Sequence, residues 1–163
     1  MSGEARRRRL RALVRRAGIS ATQAGDLAIV ERAFVHDSHA RERNGASNER
    51  LEFLGDSVLG FLAAAWLYET FPDDDEGLLT VRKARIVNDA ELARTARRLR
   101  FAEVLELGTG MRNAGGEDNP TILAGAFEAF VAALAISYGL ETARLFVETQ
   151  HIVPLDHRAA GLP

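Results

Sequence analysis

From Asn48 to Tyr68 the sequence keeps apolar residues at helical spacing (Leu51, Leu54, Leu59, Phe61, Leu62 and Trp66). In the same stretch it sets three acids, Glu49, Glu52 and Asp56, three and four residues apart, so that they share one face of the helix. Like charges at that spacing weaken a helix by roughly 0.2–0.5 kcal/mol per pair. Something must offset their repulsion, and a divalent cation is the natural candidate. A second apolar stretch, with Ile122, Leu123, Phe127, Phe130 and Val131, carries a single acid, Glu128. Burying a lone carboxylate is costly, so acids in segments this apolar call for a chemical reason.

The rest of the chain also reads as helix. Leu10, Leu13 and Val14 form an apolar stripe, and Asp26 to Phe34 repeats it through Leu27, Val30, Ala33 and Phe34. Ala40 to Ser47 is polar and aperiodic and reads as a loop, and Phe71-Pro72-Asp73-Asp74-Asp75 ends the long helix. A further helix spans Glu76 to Val87. Asn88, with Glu91 three residues on, resembles a capping box that opens a helix through Leu92, Ala96 and Leu99. Gly108-Thr109-Gly110 and Gly115-Gly116 mark an irregular connection. Asn119-Pro120 is a cap followed by proline at the first helical position, and Gly139 closes that helix. The last helix runs from Leu140 to about Gln150 and stops before Pro154. Alternating strand patterns are absent. The expectation is an all-α fold in one domain, residues 1–157, with a C-terminal tail over 158–163.

Composition narrows the chemistry. There is no cysteine, which removes thiolate metal sites and disulfides and fits a cytoplasmic location. No apolar run reads as a membrane span. Carboxylates with few histidines suit Mg²⁺ or Mn²⁺ rather than zinc, and such a cation held by acids suggests phosphodiester hydrolysis. The bland alternative is that the acids decorate helix faces and pair with Arg50 or Arg94. The net charge of −2 says little, but arginines crowd residues 6–16 and 82–100, where they either track phosphates or pair with neighbouring acids. His36-Asp37 alone would suit a histidine-aspartate phosphohydrolase. That chemistry needs more histidines than His39, His151 and His157 supply, so His36 reads as a core or capping residue.

The full string Asn48-Glu49-Arg50-Leu51-Glu52-Phe53-Leu54-Gly55-Asp56-Ser57-Val58-Leu59 resembles the signature of the ribonuclease III catalytic domain. His36-Asp37-Ser38, Asp75-Glu76-Gly77, Arg85-Ile86-Val87-Asn88, Leu107-Gly108-Thr109-Gly110 and Ile122-Leu123-Ala124 are similar to other elements of that family, so that the likeness covers roughly residues 25 to 150. The resemblance implies an all-helical, dimer-forming fold whose homodimer holds double-stranded RNA in a catalytic valley. It implies Mg²⁺-dependent hydrolysis, with Mn²⁺ as a substitute, in rRNA and mRNA processing. The products would carry 5′-phosphate and 3′-hydroxyl ends with short 3′ overhangs. Glu52 matches a metal-binding glutamate. Asp56 and Glu128 match catalytic residues that also ligate metal, and Glu49 and Glu76 match acids that handle RNA. Phe53 matches a dimer-interface residue, although its periodicity equally suits an ordinary core aromatic.

Gly125 departs from the pattern, because the family carries an aspartate three residues before the second-helix glutamate. Glycine inside a helix costs about 1 kcal/mol relative to alanine, so helix stability does not account for it. The expectation is an attenuated nuclease that Gly125→Asp would speed and whose Mg²⁺ dependence it would tighten, with Glu117 or Asp118, in the preceding loop, as candidate stand-in acids. The alternative is a catalytically inactive double-stranded-RNA-binding or scaffold protein. The chain ends at Pro163 with no pattern of a C-terminal RNA-binding domain, so RNA affinity is expected to come from the basic segments and to depend on salt.

Overall fold

The long apolar segment forms α4 (Glu49–Thr70) in the computed structural model, which describes residues 3–16, 18 and 27–160. Before it come α1 (Gly3–Arg16), α2 (Leu27–Arg32) and α3 (Asp37–Arg43); after it, α5 (Glu76–Ile86), α6 (Asp89–Arg98) and α7 (Thr109–Asn113). The chain closes with α8 (Pro120–Tyr138), α9 (Leu140–Val147) and α10 (Val153–Ala160). Asp26, expected to open the second helix, lies outside the described residues. The only β-type pairing among them is one parallel bridge, Val35 to Glu106.

The central helix is α8, which packs chiefly against α4 and α6. Ile122 to Phe127 and Ala129 to Leu134 are all buried, as befits a helix apolar on every side. Phe101 meets Phe34 edge-on at 5.0 Å, and Phe130 meets Phe101 and Phe146 edge-on at 5.5 and 5.2 Å, the arrangement that aromatic quadrupoles favour. The caps read from the sequence are in place, with Asn88 accepting from Glu91 N at 3.1 Å and Asn119 from Thr121 N at 2.9 Å. Asp75, read only as part of the segment that ends the long helix, also caps α5, accepting from Leu78 N at 2.8 Å.

Three expectations need correction. Residues 40–47 are not all loop, because α3 runs to Arg43. This helix has no apolar stripe to announce it and is fixed from outside. The His36 side chain caps it, and Ser38 Oγ and Glu42 Oε1 accept from the amides of Gly108 and Thr109 at 2.9 and 2.8 Å. The C-terminal helix does not stop before Pro154. A π turn, Glu148–Ile152, breaks the i→i−4 ladder that a proline would interrupt, and Pro154 sits in the first turn of α10. That helix also crosses the expected boundary between domain and tail at 157/158. Finally, α4 and α8 are both long and apolar enough to cross a membrane, but 61% of the apolar window of α8 is buried inside the protein, so core packing accounts for its apolarity.

The π turn places His151 in the core, 1% exposed and 5.2 Å from the Phe127 ring. Its Nδ1 lies 2.8 Å from Thr95 Oγ1 and its Nε2 2.7 Å from the carbonyl of Ile86, the last residue of α5, where helix carbonyls lack an intrahelical partner. Nε2 therefore donates to the carbonyl, and the Thr95 hydroxyl, which can donate or accept, pairs with Nδ1. His151→Leu keeps the volume and strands both partners. It is expected to destabilise the protein by about 1–3 kcal/mol, read as a fall in the urea midpoint at unchanged slope.

Candidate active site

The acids of α4 and α8 meet because the two helices approach each other at Gly55 and Glu128. A side-chain carbon at Gly55 would overlap the carbonyl of Glu128 and stand 3.0 Å from its Cα, so only glycine lets the backbones come this close. Asp56 follows Gly55 directly, and Glu128 projects beside it. Together with Glu49, Glu52, His36, Asp37, Asn48 and Phe53 they line one open pocket. The Asn48 side chain does not cap α4. Its Nδ2 donates to the carbonyl of Ala33 at 3.3 Å and ties the start of the helix to the end of α2.

Burial first, and then the charges of Asp56, Glu52 and Asp89, push Glu128 up to about 7. Burial, Glu49 and Asp89 likewise hold Glu52 above the usual carboxylate range. Desolvation and like charges both disfavour the ionised forms, and a cation in the pocket would relieve both. The bland alternative for these acids does not hold. Arg94 pairs with Glu91 at 3.5 Å, and none of Glu49, Glu52, Asp56 and Glu128 takes part in an ion pair among the described residues. Glu49 accepts only from Ser47 Oγ, at 2.8 Å.

Other candidates fall elsewhere. Glu76 is not in this pocket; it lines a separate groove with Phe61, Tyr68, Thr80 and Lys83 on the α4–α5 side. Asp118 is held by Arg97, which donates to its carboxylate at 2.5 Å and to its carbonyl at 2.7 Å. Glu117 does not line the pocket either, so neither replaces an acid at position 125. Phe53 is 80% exposed, which excludes the core-aromatic reading. His36 does cap α3 and also lines the acidic pocket. Asp89 was not singled out from the sequence. It opens α6 as a routine first-turn acid, and only the fold shows that its charge reaches both Glu52 and Glu128.

The donors are hard oxygens from two rigid helices. Among the described residues no three potential ligands close around a single point. Mg²⁺ commonly takes one or two carboxylates and fills its remaining positions with water, so the donor set fits a hydrated cation rather than an all-protein cage.

A family model described as Ribonuclease-III-like matches residues 26–155. Proteins called Ribonuclease 3 are similar over most of the chain. That of Bdellovibrio bacteriovorus is 43% identical over 136 residues, which is 82% of this chain and 58% of that protein. That of Methylococcus capsulatus is 41% identical over 143 residues, 88% of this chain and 59% of that protein. The chain thus spans little more than half the length of these relatives. Among solved structures, the nuclease domain of ribonuclease III from Campylobacter jejuni superposes with a TM-score of 0.77 at 26% identity, covering 100% of this chain and 99% of that one. A second structure of that domain, described for structural flexibility in a region involved in dimer formation, gives 0.76 at 29% identity, covering 90% and 94%. Dicer from Pichia stipitis gives 0.60 at 27% identity, covering 85% of this chain and 59% of that one.

Proposed function

This chain belongs to the ribonuclease-III-like family, and on that premise we propose that it is an endoribonuclease that hydrolyses double-stranded RNA with Mg²⁺ or Mn²⁺. The observation that carries this reading is the convergence of Glu52, Asp56 and Glu128, from two helices, in one open pocket where none has a cationic partner. Asp56 and Glu128 are the catalytic pair that would hold the cation, with Glu52 as the third acid facing it across the pocket. A divalent cation, if held by these acids, would make water a nucleophile at neutral pH and offset charge on the phosphoryl oxygens. Water adds to phosphorus, the bond to the 3′-oxygen breaks, and the products carry 5′-phosphate and 3′-hydroxyl ends. Glu49 borders the pocket where it can meet RNA or its bound water. Glu76 reaches RNA only through another part of the surface. With no carboxylate at position 125, turnover is slower than at a four-acid site. The proposed setting is cytoplasmic rRNA and mRNA processing.

Exposed apolar side chains along α4 and α5, namely Phe53, Phe61, Tyr68, Leu78 and Val81, favour a homodimer through this face. Most of the mid-chain arginines are engaged. Arg82 pairs with Asp74 at 2.6 Å and stacks on Phe71, and Arg97 and Arg100 pair with Asp118 and Glu103. The face of α1 that carries Arg8, Arg11 and Arg15 has no acidic partner among the described residues beyond Glu4 at its end, and it is the better phosphate-contact surface. Replacing all three by glutamine is expected to reduce the slope of log affinity against log salt for duplex RNA by up to about 3, as measured by filter binding.

The function itself is tested by incubating the protein with duplex RNA and Mg²⁺ or Mn²⁺, beside a chelator and an Asp56→Asn control. Cleavage that both controls abolish supports the nuclease. Binding without cleavage under either metal means a scaffold that has lost catalysis.

A further inference from the structure

The acidic pocket is lined mostly by hydrogen-bond acceptors, and a phosphodiester brings more of them. Among the described residues that line it, only His36 and Asn48 carry side-chain N–H groups. Asn48 is buried, and its Nδ2 is turned to the carbonyl of Ala33. His36 is held differently. Its backbone is fixed on both sides, with N donating to the carbonyl of Glu106 at 3.0 Å and its own carbonyl accepting from the amides of His39 and Ala40 at 2.9 and 3.1 Å. Its Nδ1 accepts from the amide of Ser38 at 3.2 Å. A backbone amide only donates, so Nδ1 carries no proton and the ring proton sits on Nε2. Ser38 Oγ, which accepts from Gly108 N at 2.9 Å, lies 2.8 Å from the same Nδ1 and directs its own proton there. The Nε2–H bond points away from these anchors and meets no hydrogen-bond or ion-pair partner among the described residues.

We propose that His36 is a substrate-binding residue of this pocket, whose Nε2–H donates to a non-bridging phosphate oxygen of the RNA strand lying there. Ser38 is the positioning residue that fixes the tautomer and the ring. The proposal rests on the RNA reading given above. It also explains why the donor is an imidazole. A lysine or arginine in its place would be drawn to Glu49, Glu52, Asp56 or Glu128 and would compete with the cation. A neutral ring offers those acids no full charge and keeps its N–H for the phosphate.

Two variants divide the ring. His36→Asn keeps a polar atom where Nδ1 stands, so that α3 stays capped, and deletes the donor at Nε2. His36→Gln does the reverse, because its longer amide reaches the place of Nε2 and gives up the cap. Single-turnover cleavage of duplex RNA at saturating Mg²⁺ is expected to fall at least about tenfold in His36→Asn, with melting temperature and half-saturating Mg²⁺ unchanged. His36→Gln is expected to melt about 2–4 °C lower and yet to cleave faster than His36→Asn, the opposite of the order that a capping role alone would give. A second readout does not depend on cleavage. In the Asp56→Asn protein labelled with ¹⁵N-histidine, the Nε2–H signal that His36→Asn removes is expected to shift when duplex RNA is added. The proposal is overturned by a loss smaller than tenfold in His36→Asn, by His36→Gln cleaving no faster than His36→Asn, or by a His36 signal that RNA leaves in place. The expected shift in a protein whose wild type leaves duplex RNA uncut would instead overturn the nuclease reading and uphold the contact.

Discussion

Glu128→Gln is expected to cut the turnover of duplex RNA by at least ~10³-fold, the scale on which losing one preorganised electrostatic contact is felt. The amide keeps the shape of the side chain but removes the one carboxylate that α8 contributes to the pocket. Single-turnover cleavage at saturating Mg²⁺ is the measurement, and a loss smaller than tenfold would remove Glu128 from the chemistry. The same substitution should alter the pH response of the metal-free protein. Glu128 titrates near 7 in the fold, against about 4.5 as the ordinary value, because burial and then Asp56, Glu52 and Asp89 oppose its charge. Between those values the folded state holds a proton that the unfolded state has released. The stabilising contribution is therefore fully present below about 4.5 and is lost as pH rises through about 7. Thermal melts without metal should fall from pH 5 to pH 8 in the wild type and fall less in Glu128→Gln. Millimolar Mg²⁺ should restore the wild type at pH 8 and do less for the variant, because a cation rewards the ionised carboxylate.

Gly55→Ala should be the most damaging alanine replacement among the described glycines. The new carbon would meet backbone, the carbonyl of Glu128, so α4 and α8 can relieve the overlap only by moving apart. Overpacking of a tight helix contact costs about 3 kcal/mol or more, a fall of roughly 10 °C in melting temperature for a chain of this size. Activity should fall further than stability explains, since separating the helices moves Asp56 away from Glu128. Assays at a temperature where the variant is fully folded distinguish the two effects. Full cleavage there would mean that the site tolerates a wider α4–α8 gap than its packing suggests.

The long helices were legible because α4 and α8 carry their apolar pattern over many turns, and the starts of α6 and α8 because their caps, Asn88 and Asn119, have a local chemical logic. What was not legible depends on distant partners. Helix α3 is polar on every side and exists because Ser38 and Glu42 hold the amides of Gly108 and Thr109. The continuation through Pro154 depends on a π turn whose His151 is anchored on α5 and α6. At the site, Glu49, Glu52, Asp56 and Glu128 were readable from spacing and family likeness, and the fold gathers all four. Glu76 was placed by likeness alone, and within one protomer its helix points it to another groove. Asp89 is invisible in one dimension, because its charge reaches Glu52 and Glu128 only when α4, α6 and α8 pack.

The bridge between Val35 and Glu106 bears on how the site comes into being. Glu106 N donates to the carbonyl of Phe34 at 2.8 Å and His36 N to the carbonyl of Glu106 at 3.0 Å, and just beyond them Ser38 meets Gly108 across 70 positions of sequence. Helical turns form in about a microsecond or less, but this strap must wait for a long loop to close, a step whose entropy nothing local repays. The wall of the pocket that holds His36 and Asp37 is therefore among the last parts of the molecule to be set during folding. It is held by few backbone bonds, so the amides of His36 and Glu106 should exchange with solvent sooner than those in the middle of α8.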